Sequence, residues 1–294
     1  MINISVPLQK IEADFIAAKG ITLYVYRLDM NHVHISGNKI FKLHYNMLDA
    51  VKQGKRTILT YGGAFSNHIA ATAATGKEQN FRTIGIIRGE EYEELNPTLK
   101  FAKSCGMELH YVPRTLYKNR LELQMYVKEK FGTREYYEIP EGGANLSGVL
   151  GCKEITNNIP VDFDVICCAC GTGTTLSGII LSLKEHQQAI GFQILKAEGF
   201  IEKEVGHWLK KSGSNQQNWS INEDHHFGGY AKINNELSDF IRAFEKENTI
   251  PLDYIYTGKM MFGIYEMIQK GEITKGQTVI ALHTGGLQGN SGYL

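Results

Sequence analysis

No stretch of this chain approaches the about 18 uninterrupted apolar residues that a membrane-spanning helix needs. Its start, "MINISVPLQKIEADF", lacks a basic segment followed by an apolar run. Both absences make a cytoplasmic protein the expectation. Charge of either sign is not in excess, since 31 Lys and Arg balance 31 Asp and Glu. No field of one sign therefore favours nucleic acid or an anionic membrane, and the expected partner is a small molecule. Cysteine is scarce and odd in number, at five, with Cys167, Cys168 and Cys170 crowded into "DVICCACGTG". The CxxC there has no second Cys or His pair at metal-ligand spacing, so buried strand residues explain it better than a metal or redox site. Repeats and low-complexity tracts are missing as well.

The 294 residues, 43% hydrophobic, are enough for one large domain or two moderate ones. Short apolar runs at 57–61, 82–87, 107–112, 164–170, 192–198 and 278–283 predict strands, several apolar at consecutive positions as expected when both faces of a sheet are covered. Helical spacing fills the gaps: after Asn96, where Pro97 suits a first helical position, and over about 120–131, 174–186, 233–247 and 259–270. This alternation predicts parallel α/β layers with right-handed crossovers. The one long polar segment, 210–232, ends in Gly228, Gly229 and Tyr230 and reads as a loop, either solvated or functional.

In open α/β sheets ligands bind beyond the carboxyl ends of strands, where loops lead into helices. Several such junctions carry Gly, Ser, Thr or Asn. In "ISGNKIFKLHYN" a helix begins near Asn38, and Lys39 and Lys42, three apart, share a side. They suit either a solvated helix start or a pairing of one amine with a carbonyl and the other with an anion. "TYGGAFSNHIAATAA" places Ser66, Asn67 and His68 at a helix start, where amides and side-chain donors attract a carboxylate; plain N-capping explains one of the three polar residues. The G-x-S-x-G elbow of a serine hydrolase is absent. "CGTGTTLSGI" runs from a buried strand through Gly171, Thr172, Gly173, Thr174 and Thr175, a phosphate cradle of amides and hydroxyls or simply a tight turn. It has neither a P-loop lysine nor the full glycine spacing of a dinucleotide fingerprint. "EGGANLSGVLG", "YTGKMMFGIYEMI" with Tyr256 and Thr257, and "HTGGLQG" complete the set.

Taken in order from about Asp29 to Gly289, these motifs resemble the family of 1-aminocyclopropane-1-carboxylate deaminase and D-cysteine desulfhydrase, pyridoxal 5'-phosphate enzymes. The resemblance implies the tryptophan synthase β-type fold, fold type II: two open, twisted, mostly parallel sheets flanked by helices. It implies a large cofactor-binding domain from residues 1–42 and 143–294, a smaller α/β domain from 43–142 that closes over the substrate, and a homodimer. "SGNKIFKL" is similar to the family's G-G-N-K-x-R-K-L, which makes Lys39 the Schiff-base lysine and Lys42 a phosphate contact. Ser66, Asn67 and His68 match the S-N-H that receives the substrate carboxylate, Asn67 also reaching the cofactor's phenolic oxygen. Gly171 to Thr175 match the phosphate cradle. Tyr256 matches a hydroxyl beside the cofactor ring, Thr257 the partner of the pyridine nitrogen, and Tyr230 a second active-site tyrosine. Ser36 replaces a glycine of the motif, Phe41 an arginine, and Thr174 a frequent glycine; the first two are expected to alter the substrate pocket.

Within that family, deaminases resemble Y-E-G-K and H-L-G-G, and D-cysteine desulfhydrases Y-T-G-K and H-T-G-G. Thr257 and Thr284 here follow the second pattern. A carboxylate at the ring nitrogen would keep it protonated and make the ring a strong electron sink, whereas a neutral threonine suffices when a thiolate leaves. The expected reaction is β-elimination on D-cysteine: Lys39, directly or through Ser66, takes the α-proton, sulfide leaves, and pyruvate and ammonia follow. Tyr230 and Tyr256 shape the pocket or move a proton. The rivals are a cyclopropane deaminase or D-amino-acid ammonia-lyase, a cofactor-binding protein without significant turnover, and a nucleotide-binding module using the Gly171 loop.

Overall fold

The computed structural model describes residues 2, 4–91, 93–132 and 135–292. In chain order the elements begin with β1 (Leu8–Lys10), α1 (Asp14–Ala18), β2 (Thr22–Tyr26), α2 (Lys39–Lys52), β3 (Thr57–Gly63), α3 (Asn67–Glu78), β4 (Arg82–Arg88), α4 (Pro97–Ser104) and β5 (Glu108–Val112). They continue with α5 (Arg114–Lys118), α6 (Arg120–Phe131), β6 (Tyr137–Ile139), α7 (Leu146–Cys152), β7 (Val165–Cys170), α8 (Thr174–Ile180) and β8 (Gln188–Gln193). Last come α9 (Phe200–Lys211), β9 (Trp219–Asn222), α10 (Asn235–Asn248), α11 (Thr257–Lys270) and β10 (Thr278–Leu282). Among the described residues no helix is long and apolar enough to cross a membrane.

Two sheets form, in the orders β1-β2-β10-β7-β8-β9 and β5-β4-β3-β6. Every pairing is parallel except β1 with β2. This is the α/β architecture of fold type II, two mostly parallel sheets flanked by helices. Strand β7, with every residue buried, shows why its sequence does not alternate. Val165, Cys167 and Ala169 enter one apolar core with Met260 and Ile264 of α11, while Ile166, Cys168 and Cys170 enter another with Phe41 and Leu176. The cysteines are therefore core residues, free and without a metal-binding cluster among the described residues.

Helix α2 joins the two sheets. Phe41 packs with the six-stranded sheet, whereas Leu43, Met47 and Ala50 pack with Ile58, Ala71 and Ile139 of the four-stranded unit. Phe41 is fully buried in that core, and Ser36 donates its hydroxyl to the carbonyl of Asp29 at 2.9 Å. Both of these departures from the family motif thus make scaffold contacts.

Three expectations shift. The strand expected at 192–198 runs instead over Gln188–Gln193. Gln193 ends it, its amide nitrogen donating to the carbonyls of Leu195 and Ala197 while its oxygen accepts from Ile201 N. The helix expected to 186 stops at Ile180, where the Ser182 hydroxyl turns back to Ile179 O. The polar segment 210–232 holds an edge strand, β9, which pairs with β8 through only four residues. The remaining expected strands and helices stand within a few residues of their positions.

Helices α2 and α7 approach so closely that a Cβ on Gly151 would lie 1.9 Å from the carbonyl oxygen of Phe41. Because the obstacle is backbone, it cannot rotate away. Gly151→Ala gains about 1 kcal/mol of helix propensity and loses about 1–3 kcal/mol or more to overpacking. A net loss is expected, read as a lower urea midpoint at unchanged m-value; an unchanged or raised midpoint would show that the two helices can part freely.

Candidate active site

The lysine turn is held from three directions. Gly37 adopts φ +73°, its N–H donates to Leu28 O at 3.0 Å and to Asn31 Oδ1 at 3.1 Å, and its carbonyl accepts from Asn31 Nδ2 at 2.8 Å. A Cβ there would lie 1.8 Å from the Thr284 carbonyl oxygen, so only glycine lets this turn lie against the loop after β10. Beneath it Arg27 forks onto Asp29 at 2.9 and 2.7 Å, and His283 Nδ1 stands 3.4 Å from the same carboxylate. Lys39, the first residue of α2, therefore emerges beside the carboxyl end of β10.

Lys39 Nζ donates to Asn38 Oδ1 at 2.6 Å, and Asn38 Nδ2 donates to Thr175 Oγ1 at 2.9 Å. One buried asparagine thus ties the lysine to the threonine loop. Burial, then the positive charge of Lys42, pulls the Lys39 amine down to about 7. Lys42 is buried and also lowered, chiefly by desolvation; its Nζ donates to Gly142 O at 3.0 Å. Gly142 in turn abuts Thr172, its would-be Cβ 3.2 Å from the threonine methyl. Both lysines consequently border the loop of Gly171, Thr172, Gly173, Thr174 and Thr175. Gly173 turns that loop in a left-handed conformation, and the Thr172 and Thr174 hydroxyls sit 3.0 Å apart.

From the other sheet, β3 ends in Gly62 and Gly63, and Ser66 caps α3 by accepting from Ile69 N at 3.3 Å. Asn67 Oδ1 and His68 Nδ1 are buried with no hydrogen-bond partner. Asn67 Nδ2 would lie 3.0 Å from a Cβ on Gly286, and the Asp253 carboxylate 3.6 Å from it, so that glycine keeps a gap between two polar groups distant in sequence. His68 Nε2 is 2.9 Å from Thr60 Oγ1, which donates its hydrogen to Ile139 O at 2.8 Å. The arrangement that satisfies both puts the imidazole hydrogen on Nε2 and leaves Nδ1 a lone pair. Desolvation and the charges of Lys39 and Lys42 hold the ring's pKa well below its ordinary value. Nδ1 of His68 thus offers an acceptor suited to an N–H donor, while Ser66 and Asn67 lie beside it at the start of α3.

Helix α11 brings the last group. Asp253 Oδ1 accepts from Ile255 N at 3.0 Å and Tyr256 N at 2.6 Å, and Oδ2 from Thr257 N at 2.9 Å and the Thr257 hydroxyl at 2.5 Å. The Tyr256 ring stands 3.3 Å from a Cβ position on Gly171 and meets the Tyr230 ring edge-on at 6.2 Å. Burial pushes both phenols up, so both are protonated at neutral pH. Tyr230, 46% exposed, marks the mouth. Buried Lys259 donates to His226 O at 2.9 Å and Gly229 O at 2.7 Å and so anchors the loop carrying Tyr230; desolvation lowers it to about 8. Thr284 is buried, and its carbonyl accepts from Asn38 N at 3.3 Å.

Sequence reasoning missed Asn38, Asp253 and Lys259. For Asp253 a signal existed, an acidic residue just ahead of a helix start, where its carboxylate can take up the free N–H groups. The other two depend on contacts distant in sequence.

The chain belongs to the family of pyridoxal-phosphate dependent enzymes, whose model matches residues 5–285. A putative 1-aminocyclopropane-1-carboxylate deaminase of Pyrococcus furiosus is 32% identical over 93% of this chain and 87% of its own length. The mitochondrial bifunctional D-cysteine desulfhydrase/1-aminocyclopropane-1-carboxylate deaminase of Arabidopsis thaliana is 30% identical over 92% of this chain and 73% of its own. Among solved structures, an ACC deaminase homologue superposes with a TM-score of 0.81 at 29% identity, covering 99% of this chain and 91% of that one.

The residues fit the cofactor of that family. A half-buried amine of lowered pKa, a hydroxyl-rich glycine loop and two buried side-chain atoms awaiting partners converge, with glycines where a Cβ would fill the space. The lowered Lys39 amine makes a direct prediction. After hydroxylamine treatment to remove bound aldehyde, reductive methylation of Lys39 with formaldehyde should be half-maximal near pH 7 and level off above it, whereas ordinary lysines keep gaining reactivity toward their higher pKa. Lys42→Gln removes a neighbouring positive charge and should move the midpoint to higher pH. Peptide mass mapping reads both, and a Lys39 profile parallel to the surface lysines would contradict the geometry.

Proposed function

We propose that the chain is a pyridoxal-phosphate dependent lyase of small amino acids, acting on D-cysteine as a desulfhydrase. The observation that carries this reading is the Asn38 bridge, which sets a lysine of lowered pKa against the threonine loop in a chain whose family uses that cofactor. Thr257 and Thr284, the residues of the desulfhydrase pattern, support the substrate, as does the bifunctional Arabidopsis relative.

When bound, pyridoxal phosphate supplies a carbonyl that condenses with an amine and a ring that spreads negative charge from Cα. Lys39 would hold the aldehyde end, Lys42 with Gly171 to Thr175 the phosphate, and Thr257 the ring nitrogen. Ser66 and Asn67 receive the substrate carboxylate. Lys39, neutral above about pH 7, would serve as the base that takes the proton from Cα, with Ser66 as its relay. The Cα–H bond breaks toward that base, and the Cβ–S bond breaks with its electron pair leaving on sulfur as hydrosulfide. The enamine left behind takes up one water and yields pyruvate and ammonia. Tyr256, protonated at neutral pH, is available as a donor to the leaving sulfur rather than as a base. In this reading the unit 43–142 closes over the substrate and brings Ser66 to His68 onto it, excluding water.

One observation favours a second reaction. The carboxylate of Asp253 behind Thr257 brings negative charge toward the ring nitrogen, which opening a cyclopropane ring demands. Turnover of D-cysteine, L-cysteine, D-serine and 1-aminocyclopropane-1-carboxylate by the purified chain separates the readings. The proposal expects sulfide and pyruvate in equal amounts from D-cysteine at the highest kcat/KM of the four, and a fall of at least about 10²–10⁴-fold in Lys39→Ala. A higher kcat/KM for the cyclopropane acid would install the second reading; bound cofactor with no product from any of them would leave a binding protein.

A further inference from the structure

A hydroxyl group has one hydrogen to give, and the hydrogen of Thr257 is already given. Its Oγ1 donates to Asp253 Oδ2 at 2.5 Å and accepts from the Asp253 N–H at 3.0 Å. What remains on that oxygen is a lone pair. Thr257 is wholly buried and Asp253 is 1% exposed, so no water substitutes for either contact at low cost.

Turning the hydroxyl outward would strip the carboxylate of one of its four donors. The other three are the backbone N–H groups of Ile255, Tyr256 and Thr257, which have no acceptor role to offer in exchange. The two cations that feel the Asp253 charge, Lys39 and Lys259, hydrogen bond elsewhere, to Asn38 and to the carbonyls of His226 and Gly229. Tyr256 and Tyr230 feel it as well, and both are neutral. The Asp253 carboxylate is therefore left to act through Thr257.

We infer that Asp253 is a positioning residue that commits the Thr257 hydroxyl to accept, and so requires a protonated, positively charged nitrogen on the ring it faces. The inference rests on the reading above, in which Thr257 stands at the cofactor's pyridine nitrogen. It differs from the expectation drawn from the motif alone, that a neutral threonine donates to a neutral ring. Here the proton sits on the ring nitrogen, the threonine oxygen accepts it as a hydrogen bond, and the balancing negative charge lies one hydroxyl further back. The electron sink is then the strong one that a direct carboxylate would provide, built from two residues four apart at the start of α11.

The ring nitrogen reports its own protonation. Full-length chain loaded with pyridoxal phosphate labelled with ¹⁵N at the ring should show that resonance in the upfield, protonated range at neutral pH. In Asp253→Asn the new amide can donate to Thr257 Oγ1, releasing the hydroxyl hydrogen toward the ring, and the resonance should move to the unprotonated range. Thr257→Ser should keep the wild-type position and Thr257→Val should lose it, which keeps the test decisive if Asp253→Asn fails to fold. Borohydride reduction and peptide mapping run alongside. No cofactor on Lys39 means that the functional reading itself has failed; cofactor on Lys39 with an unprotonated nitrogen in the wild type, or an Asp253→Asn resonance that does not move, overturns this inference alone.

Discussion

The backbone of Gly37 rests directly on the carbonyl of Thr284, with no room for a side chain between them. Everything that the site does starts from this contact, because it seats the turn before α2 on the loop after β10. Lys39 is then fixed beside the ends of central strands of the six-stranded sheet. The Arg27–Asp29 pair and His283 lie under the same junction with side chains almost wholly buried. A buried ion pair is poor evidence of stability, since desolvation opposes its attraction. Its geometry here has a clearer use: Asp29 sits on the segment that leads into the lysine turn, and His283 on the segment that receives it.

Burial then does the chemical tuning. Lys39 and Lys42 share one low-dielectric region, so each is pushed toward the neutral amine, and the first also by the charge of the second. Desolvation, then the charges of both lysines, pushes His68 toward the neutral ring. Tyr230 and Tyr256 are kept protonated by the same desolvation that neutralises the lysines. The result is a site with few fixed charges facing its centre, apart from Asp253. An anion arriving at the threonine loop would oppose the desolvation of Lys42 and favour its ammonium form, while Lys39 stays tied to Asn38.

What could be read from the sequence was what depends on local pattern. Buried parallel strands such as β7 and β10 announce themselves as unbroken apolar runs, and α3, α4 and α11 through their caps and periodicity. Edge elements could not be read so easily: β1, β6 and β9 are three or four residues long and half-exposed, too short for a period to show. The same division runs through the site. The glycine, serine and threonine turns were visible because their residue types are restricted by backbone geometry. The direction of Phe41 on α2 is set by a core assembled from distant strands, and the tautomer of His68 by Thr60 and Ile139, neither of which a local pattern shows.

Asp253 carries that point furthest. Comparing residue types at position 257 sets threonine against glutamate, one neutral and one charged, and suggests two different electron sinks. A hydrogen bond, however, has a direction, and the direction is set by what stands behind the residue being compared. With a carboxylate holding its only hydrogen, the threonine behaves toward its other neighbour as the glutamate would, as an acceptor backed by negative charge. On that inference the residue type at position 257 alone does not fix the electronic demand met at the ring nitrogen, because the hydrogen-bond partner behind it contributes as much.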